Sequence, residues 1–216
     1  MATGKTPRLL PGSPSWEPQI APVEFIIRYQ DSDLIPSALD TNMAAVWLDL
    51  KHYDNLANTT MPGPQTPPAL FLQVSTSVPN RLLHLKYDED CFPELLRLCM
   101  LAYVKSILFR VPGIGMHYLS EKLEFALRAQ RTPPPRSEHA SLVLWALFIY
   151  GVCIVENFDQ VWHREALLRT APMLGILTWD QCKSTLSRLL WIDNIHDGSA
   201  ESGFKQVFGQ GMPIHQ

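Results

Sequence analysis

Asp193, His196 and Asp197 stand at i, i+3 and i+4, a spacing that brings three side chains onto one face of a helix. Two carboxylates and an imidazole so placed offer two oxygens and a nitrogen, a donor set suited to a divalent cation. A metal-dependent helical enzyme built on Asp193, His196 and Asp197 is therefore one reading of this chain. No second acidic or histidine cluster is available to complete a shell. The competing expectation is a polar helix end terminated by Gly198, holding no metal.

Other spacings touch on chemistry and stop short. His163-Arg164-Glu165 has the HxE of zinc deaminases, but the PCxxC element that supplies their remaining ligands is missing. These three residues are expected on the solvent side of a helix, opposite Trp162 and Ala166. The HExxH pattern of zinc proteases is absent. Gly4-Lys5-Thr6 ends like a phosphate-binding loop without the upstream glycine, strand or helix that would aim backbone amides at a phosphate. Gly113-Ile114-Gly115 follows a proline and reads as a turn. No GxSxG elbow occurs, and no serine has a sequence partner that would mark a nucleophile. Cys91, Cys99, Cys153 and Cys182 form no CxxC pair and read as free, small hydrophobes. Cys153 lies in an apolar run, where burial raises a thiol's pKa and makes it inert. Trp145, Phe148, Trp162, Trp179 and Trp191, all placed on expected helices, either fill a core or line a pocket for an apolar effector. The expectation is no catalytic residue, no bound cofactor and no metal ligand: not an enzyme.

Composition narrows the class. Hydrophobic residues make up 46% of the 216, enough for a real core. Charged residues reach 18%, below the usual quarter, so the surface is partly apolar or covered by partners. A net charge of -3 and the lack of any basic run argue against gripping a polyanion. Met1 to Pro18 holds no apolar h-region, so no secretory signal is expected, and the sequon Asn58-Thr59-Thr60 would then stay idle. Leu142 to Val155 is too short for a bilayer, which needs about 20 residues. A cytosolic or nuclear protein is expected.

The elements follow from proline and apolar period. Five of the 18 prolines fall between Pro7 and Pro22, so residues 1–22 are expected to form an extended, poorly ordered tail. Val23 to Tyr29 is a strand or a helical turn. A helix is expected from about Ser37 to Ala57, capped by Asp40 or Ser37, then a linker from Met61 to Pro68. Pro68 to Leu85 reads as a helix interrupted near Pro79. Phe92 to Arg110 is a buried helix stopped by Val111-Pro112-Gly113, and Tyr118 to Gln130 an amphipathic one. Ser137 caps a helix running to about Glu156; Asp159 caps another from Gln160 to Met173. The capping box Thr178-Trp179-Asp180-Gln181 opens a last helix carrying Cys182, Leu186, Leu189 and Leu190, and the chain after Asp197 is expected to fray. The fold class is all-α: a multi-helix orthogonal bundle of helix hairpins. Residues 1–36 form the Pro-rich tail, 37–208 the helical domain and 209–216 a second tail.

From residue 95 to 208 the order of landmarks resembles the helical regulatory region downstream of the DNA-binding module in fungal-specific transcription factors of the binuclear zinc cluster family. LLRLCMLAYVKSILFRVPG is similar to that family's long apolar helix with its Pro-Gly break, and LVLWALFIYGVCIVEN to its next buried helix. Trp162 with its following arginines, the Leu177-Thr178-Trp179-Asp180 segment and LSRLLWIDNIHD come next in order. The resemblance covers about half the chain. It implies a nuclear, helical domain that tunes transcription through self-association, protein partners or a small apolar effector, off the membrane. The family's zinc cluster needs six closely spaced cysteines and this chain has four scattered ones, so sequence-specific nucleic-acid binding does not carry over.

Overall fold

Eight consecutive apolar residues, Leu142 to Ile149, cannot all face one neighbour, so a helix made of them has to be surrounded. The computed structural model describes residues 14–30, 35–59, 68–89, 91–108, 117–130, 137–155 and 157–209. Among the described residues every regular element is helical, with no strand. In chain order these are α1 (Val23–Gln30), α2 (Thr41–Thr59), α3 (Pro68–His84), α4 (Phe92–Leu108), α5 (His117–Ala129) and α6 (Glu138–Ile149). A π-helical turn (Tyr150–Ile154) extends α6, and α7 (Val161–Met173), α8 (Trp179–Ser187) and α9 (Asp193–Phe208) follow. Successive helices pack as pairs: α2 on α3, α3 on α4, α4 on α5, α6 on α7, α8 on α9. The apolar α6 touches α4, α7 and α8, and its residues Leu142 to Ile149 are all buried. No helix among the described residues is long and apolar enough to cross a membrane.

Several boundaries match the expected signals. Asp40 accepts the Met43 amide at 2.9 Å and so caps α2, whereas Ser37 bonds Glu138 instead. Ser137 accepts the Ala140 amide at 3.0 Å to open α6. Thr178 and Gln181 form the reciprocal capping box of α8.

Other expectations are resolved or corrected. The ambiguous Val23 segment is the helix α1. Pro79 does not interrupt α3: Leu70, Val74, Val78 and Leu82 bury one continuous stripe, and that packing outweighs a missing amide worth about 3 kcal/mol. Asp159 does not cap α7. Its carboxylate takes the Gln206 side chain, and Gln160 occupies the N-cap without a side-chain bond. Residues 14–22 are not loose, because the buried Asp49 of α2 accepts the amides of Gln19, Ile20 and Ala21 at 3.0, 2.7 and 2.8 Å. Arg81 of α3 completes this clasp, pairing with Asp49 and reaching the Glu17 carbonyl. Residues 1–13, with Gly4-Lys5-Thr6, and 109–116, with the Val111-Pro112-Gly113 stop and Gly113-Ile114-Gly115, lie outside the described residues, as do most of the linker 61–68 and residues 210–216.

The largest correction is at the C-terminal end. Gly198 terminates nothing and the chain beyond Asp197 does not fray, because α9 runs to Phe208. Its inner face, Ala200, Gly203, Phe204 and Val207, is buried against the rest of the fold. A single side chain explains why this end is closed. Phe158, in the loop before α7, is wedged between the π-helical turn and α9. A Cβ at Gly151 would lie 2.6 Å from its ring, and one at Gly203 only 2.2 Å. Both positions must be glycine for the wedge to fit.

Within α9 the two glycines should therefore respond oppositely to alanine. Gly203→Ala overpacks Phe158 and is expected to destabilise by about 1–3 kcal/mol. Gly198→Ala enters open space and is expected to stabilise by about 0.5–1 kcal/mol through helix propensity. Urea unfolding of the two variants checks both signs.

Candidate functional site

Between the end of α8 at Ser187 and the start of α9 at Asp193 the chain runs through the interior, with Leu189, Leu190, Trp191 and Ile192 all buried. A buried backbone without helix partners needs side chains to satisfy its polar groups. Three come from one face of α2, at i, i+3 and i+7. Lys51 donates to the Ser187 carbonyl at 3.0 Å and to the Leu189 carbonyl. Asp54 accepts the Trp191 amide at 2.8 Å. Asn58 donates to the Trp191 carbonyl at 2.8 Å and accepts the Asp193 amide at 3.0 Å. From α6 the Trp145 indole donates to the Leu190 carbonyl at 2.8 Å. From α9 itself, His196 Nδ1 accepts the Ile192 amide at 3.0 Å.

The clasp contains ionisable groups in an apolar surrounding. Burial pushes the Asp54 carboxyl up to about 7, against the opposing pull of Lys51, the Tyr103 hydroxyl and the Trp191 amide. Lys51 is lowered by burial, partly offset by Asp54. Tyr103, whose hydroxyl donates to Asp54, is raised well above its ordinary value, first by burial and then by that carboxyl.

The Asp193, His196 and Asp197 triad is on one helix, as its spacing implies, but the three side chains part company. His196 is fully buried and lies among Tyr103, Ser106 and Trp191. Asp193 and Asp197 both pair with Lys183 of α8, at 3.0 and 2.5 Å, and Asp197 also accepts the Trp191 indole N–H at 2.8 Å. They tie α9 to α8. Among the described residues no three His, Cys, Asp or Glu side chains form a group that could hold a metal ion.

A pairing that sequence reading missed is Ser106 with His196, 2.9 Å apart. Ninety positions separate them, so no local motif announces the contact. A Ser-His pair can be a nucleophile and its base, but only when the imidazole accepts the hydroxyl proton. Here Nδ1 accepts a backbone N–H, which puts the proton of the neutral ring on Nε2, facing Ser106. The hydroxyl then donates to the Tyr103 carbonyl at 2.6 Å. These hydrogen bonds run in the direction that leaves Ser106 unactivated.

His163 reverses its expectation. It is not on the solvent side of α7 but fully buried, with Nε2 donating to the Leu147 carbonyl at 2.9 Å, where α6 passes into the π-helical turn. Arg164 is half-buried and Glu165 exposed. The tryptophans divide as well. Trp145 and Trp191 are buried, Trp145 edge-on to Trp47, and Trp191 sits on the connector rather than on a helix. Trp179 packs on Phe148 and Phe204, and Trp162 lies under the Arg128 guanidinium at 4.8 Å. All four cysteines are free, and burial raises the thiols of Cys99 and Cys182.

Comparison of the chain with protein-family models, with curated proteins and with solved structures finds no match.

Removing the indole donor with Trp145→Phe strands the Leu190 carbonyl in the interior, an expected loss of about 1–3 kcal/mol from that bond alone, read by urea unfolding. His163 sets a pH dependence. Burial holds its ring below the ordinary 6.5, so the unfolded chain takes up a proton more readily than the folded one. The stability present above pH 6.5 is then lost as the pH falls. His163→Gln should lose less stability than the native protein between pH 7 and pH 5, measured by urea unfolding at each pH.

Proposed function

We propose that this chain is a non-catalytic regulatory domain acting through protein contacts, of the transcription-factor kind its helical landmarks resemble, without a DNA-binding module of its own. One observation carries the reading. The side chains with reactive potential, Ser106, His196, Asp193 and Asp197, are engaged in holding the connector and α9, while apolar side chains stand in solvent at helical spacing. Val23 and Ile27 are one turn apart on α1, Tyr118 and Phe125 two turns apart on α5, and Val161 and Leu168 two turns apart on α7. An enzyme directs its polar groups toward a substrate; this chain directs them inward, onto its own backbone. Paired apolar side chains on helix faces are the kind of surface that protein partners cover.

The all-helical bundle agrees with the fold that the resemblance implies, and a nuclear location is part of the same proposal. The test is to tether the full chain to an unrelated DNA-binding module and read a reporter gene, with light scattering on the purified 24.5 kDa chain alongside. The expected result is a change in reporter output relative to the module alone. Glutamate at Val161 and Leu168 should diminish that change while leaving the circular dichroism helical. An unchanged reporter together with a strictly monomeric mass overturns the proposal, as does a stoichiometric bound metal that is lost on His196→Ala.

A further inference from the structure

Residues 14–21 precede α1 and belong to no helix, yet their burial follows a strict alternation. Pro14, Trp16, Pro18 and Ile20 are half-buried, Ser15, Glu17 and Gln19 are exposed, and Ala21 closes the series inside the core. Trp16 and Ile20 pack against the main apolar cluster, so this strap is anchored through alternate side chains. Two helices hold its backbone and rim. Asp49 of α2 accepts the amides of Gln19, Ile20 and Ala21, Arg81 of α3 donates to the Glu17 carbonyl at 3.4 Å, and the Ser77 hydroxyl of α3 donates to the Gln19 side chain at 2.5 Å. Main-chain bonds for affinity and alternate side chains for specificity are the means by which a folded surface recognises a peptide. The seat is assembled without help from the strap, because α2 packs on α3 and Asp49 pairs directly with Arg81. Prolines at 14, 18 and 22 fix φ, so a strap in solution has less freedom to lose on docking.

We propose that this seat on α2 and α3 is a docking site for residues 14–21 of a second copy of the chain, so that two copies associate by exchanging straps. The fold itself names the occupant: residues 14–21 are the sequence whose fit to the seat is seen, and a second copy brings the same side chains and the same amides. Exchange replaces each contact by an identical one, and the cost is the loss of the tether. A tethered strap acts at an effective concentration on the order of millimolar, so the single closed chain prevails in dilute solution. The exchanged pair gains when copies are concentrated or when the strap's hold on its own seat is weakened. It also has apolar surface to cover, since α1 follows the strap directly and leaves Val23 66% and Ile27 56% exposed. The exchange rests on the reading of a domain that acts through protein contacts and gives one of those contacts a definite form.

Two complementary full-length variants test the exchange. One has a disabled strap and an intact seat: Trp16→Ala removes an anchor, and Ile20→Pro removes another together with one of the three amides. The other has an intact strap and a disabled seat, Asp49→Val with Arg81→Met, an apolar replacement of a buried ion pair that a fold commonly tolerates. Light scattering is expected to give the single-chain mass of 24.5 kDa for each variant alone and twice that mass for their equimolar mixture. The amides of Gln19, Ile20 and Ala21 in the disabled-seat copy should exchange freely with solvent when alone and become protected on mixing. A mixture that keeps the single mass, with those amides still unprotected, overturns the exchange. A second measurement leaves strap anchors and seat intact, in case a variant loses its helical circular dichroism. A copy with Gln19→Cys is mixed with a copy carrying Ser77→Cys, both at exposed positions that meet when a strap is seated, and a short bis-maleimide is added. Covalent dimers joined between positions 19 and 77, identified by peptide mass, are expected in the mixture and in neither copy alone. Their absence from the mixture overturns the proposal. Either failure strikes the strap exchange alone, because the tethered reporter assay reads regulation without requiring it.

Discussion

An extended backbone inside a helical core carries N–H and C=O groups that no helix pairs, and each one left bare costs about 1–3 kcal/mol. The passage from α8 to α9 is possible only because α2 presents Lys51, Asp54 and Asn58 along a single inward face. Trp145 of α6 supplies the donor for the Leu190 carbonyl. The rest of the C-terminal half follows from that passage. It places His196 beneath Ser106, sets Asp193 and Asp197 beside Lys183, and starts α9 where Gly203 can receive Phe158. α2 is thus an internal scaffold whose charged residues matter as much as its apolar ones.

The same helix performs a similar task a turn earlier with opposite geography. Asp49 collects three consecutive backbone amides of residues 19–21 and the Arg81 guanidinium. A buried ion pair adds little net stability, since desolvation offsets most of the attraction. What it provides here is register: only one alignment of the chain places Gln19, Ile20 and Ala21 over a single carboxylate. Two buried carboxylates on α2, Asp49 and Asp54, therefore set where two non-helical segments lie. In both cases a charge that a helix would ordinarily turn toward water is given backbone donors in its place.

The residues that looked chemical bond buried backbone for a shared reason. A side chain with strong hydrogen-bonding capacity is as useful for satisfying buried backbone as for activating a substrate. Ser106 and His196 have the right atoms at the right separation, yet the Ile192 amide settles the direction of every proton between them. His163 is similar: its imidazole meets the Leu147 carbonyl where the helix changes pitch from α to π. Pitch changes of this kind often mark sites of action. This turn packs Phe158 against Gly151, and Lys105 donates to its Cys153 carbonyl.

Much of the fold was legible because helix signals are local. The apolar run of α6, the Ser137 cap and the Thr178–Gln181 capping box depend on residues within a few positions of one another. By itself the sequence determined the helical class, most of the helix starts, and a core rich in leucine and aromatics. It also placed Asp193, His196 and Asp197 on one helix, which is a matter of spacing alone. Where those three side chains go is decided by Lys183, Ser106 and the Ile192 amide, contacts made only once α8, α4 and the connector have met. Asp159 and Gly198 misled for the same reason: a cap or a stop is a local tendency, and Gln206 and the packing of α9 outcompete it from a distance. Charged residues of α2 at positions 49, 51 and 54 gave no sign in one dimension that they would be buried. Burial of a charge is a property of what packs over it, and what packs over these comes from segments about 30 and 135 residues away.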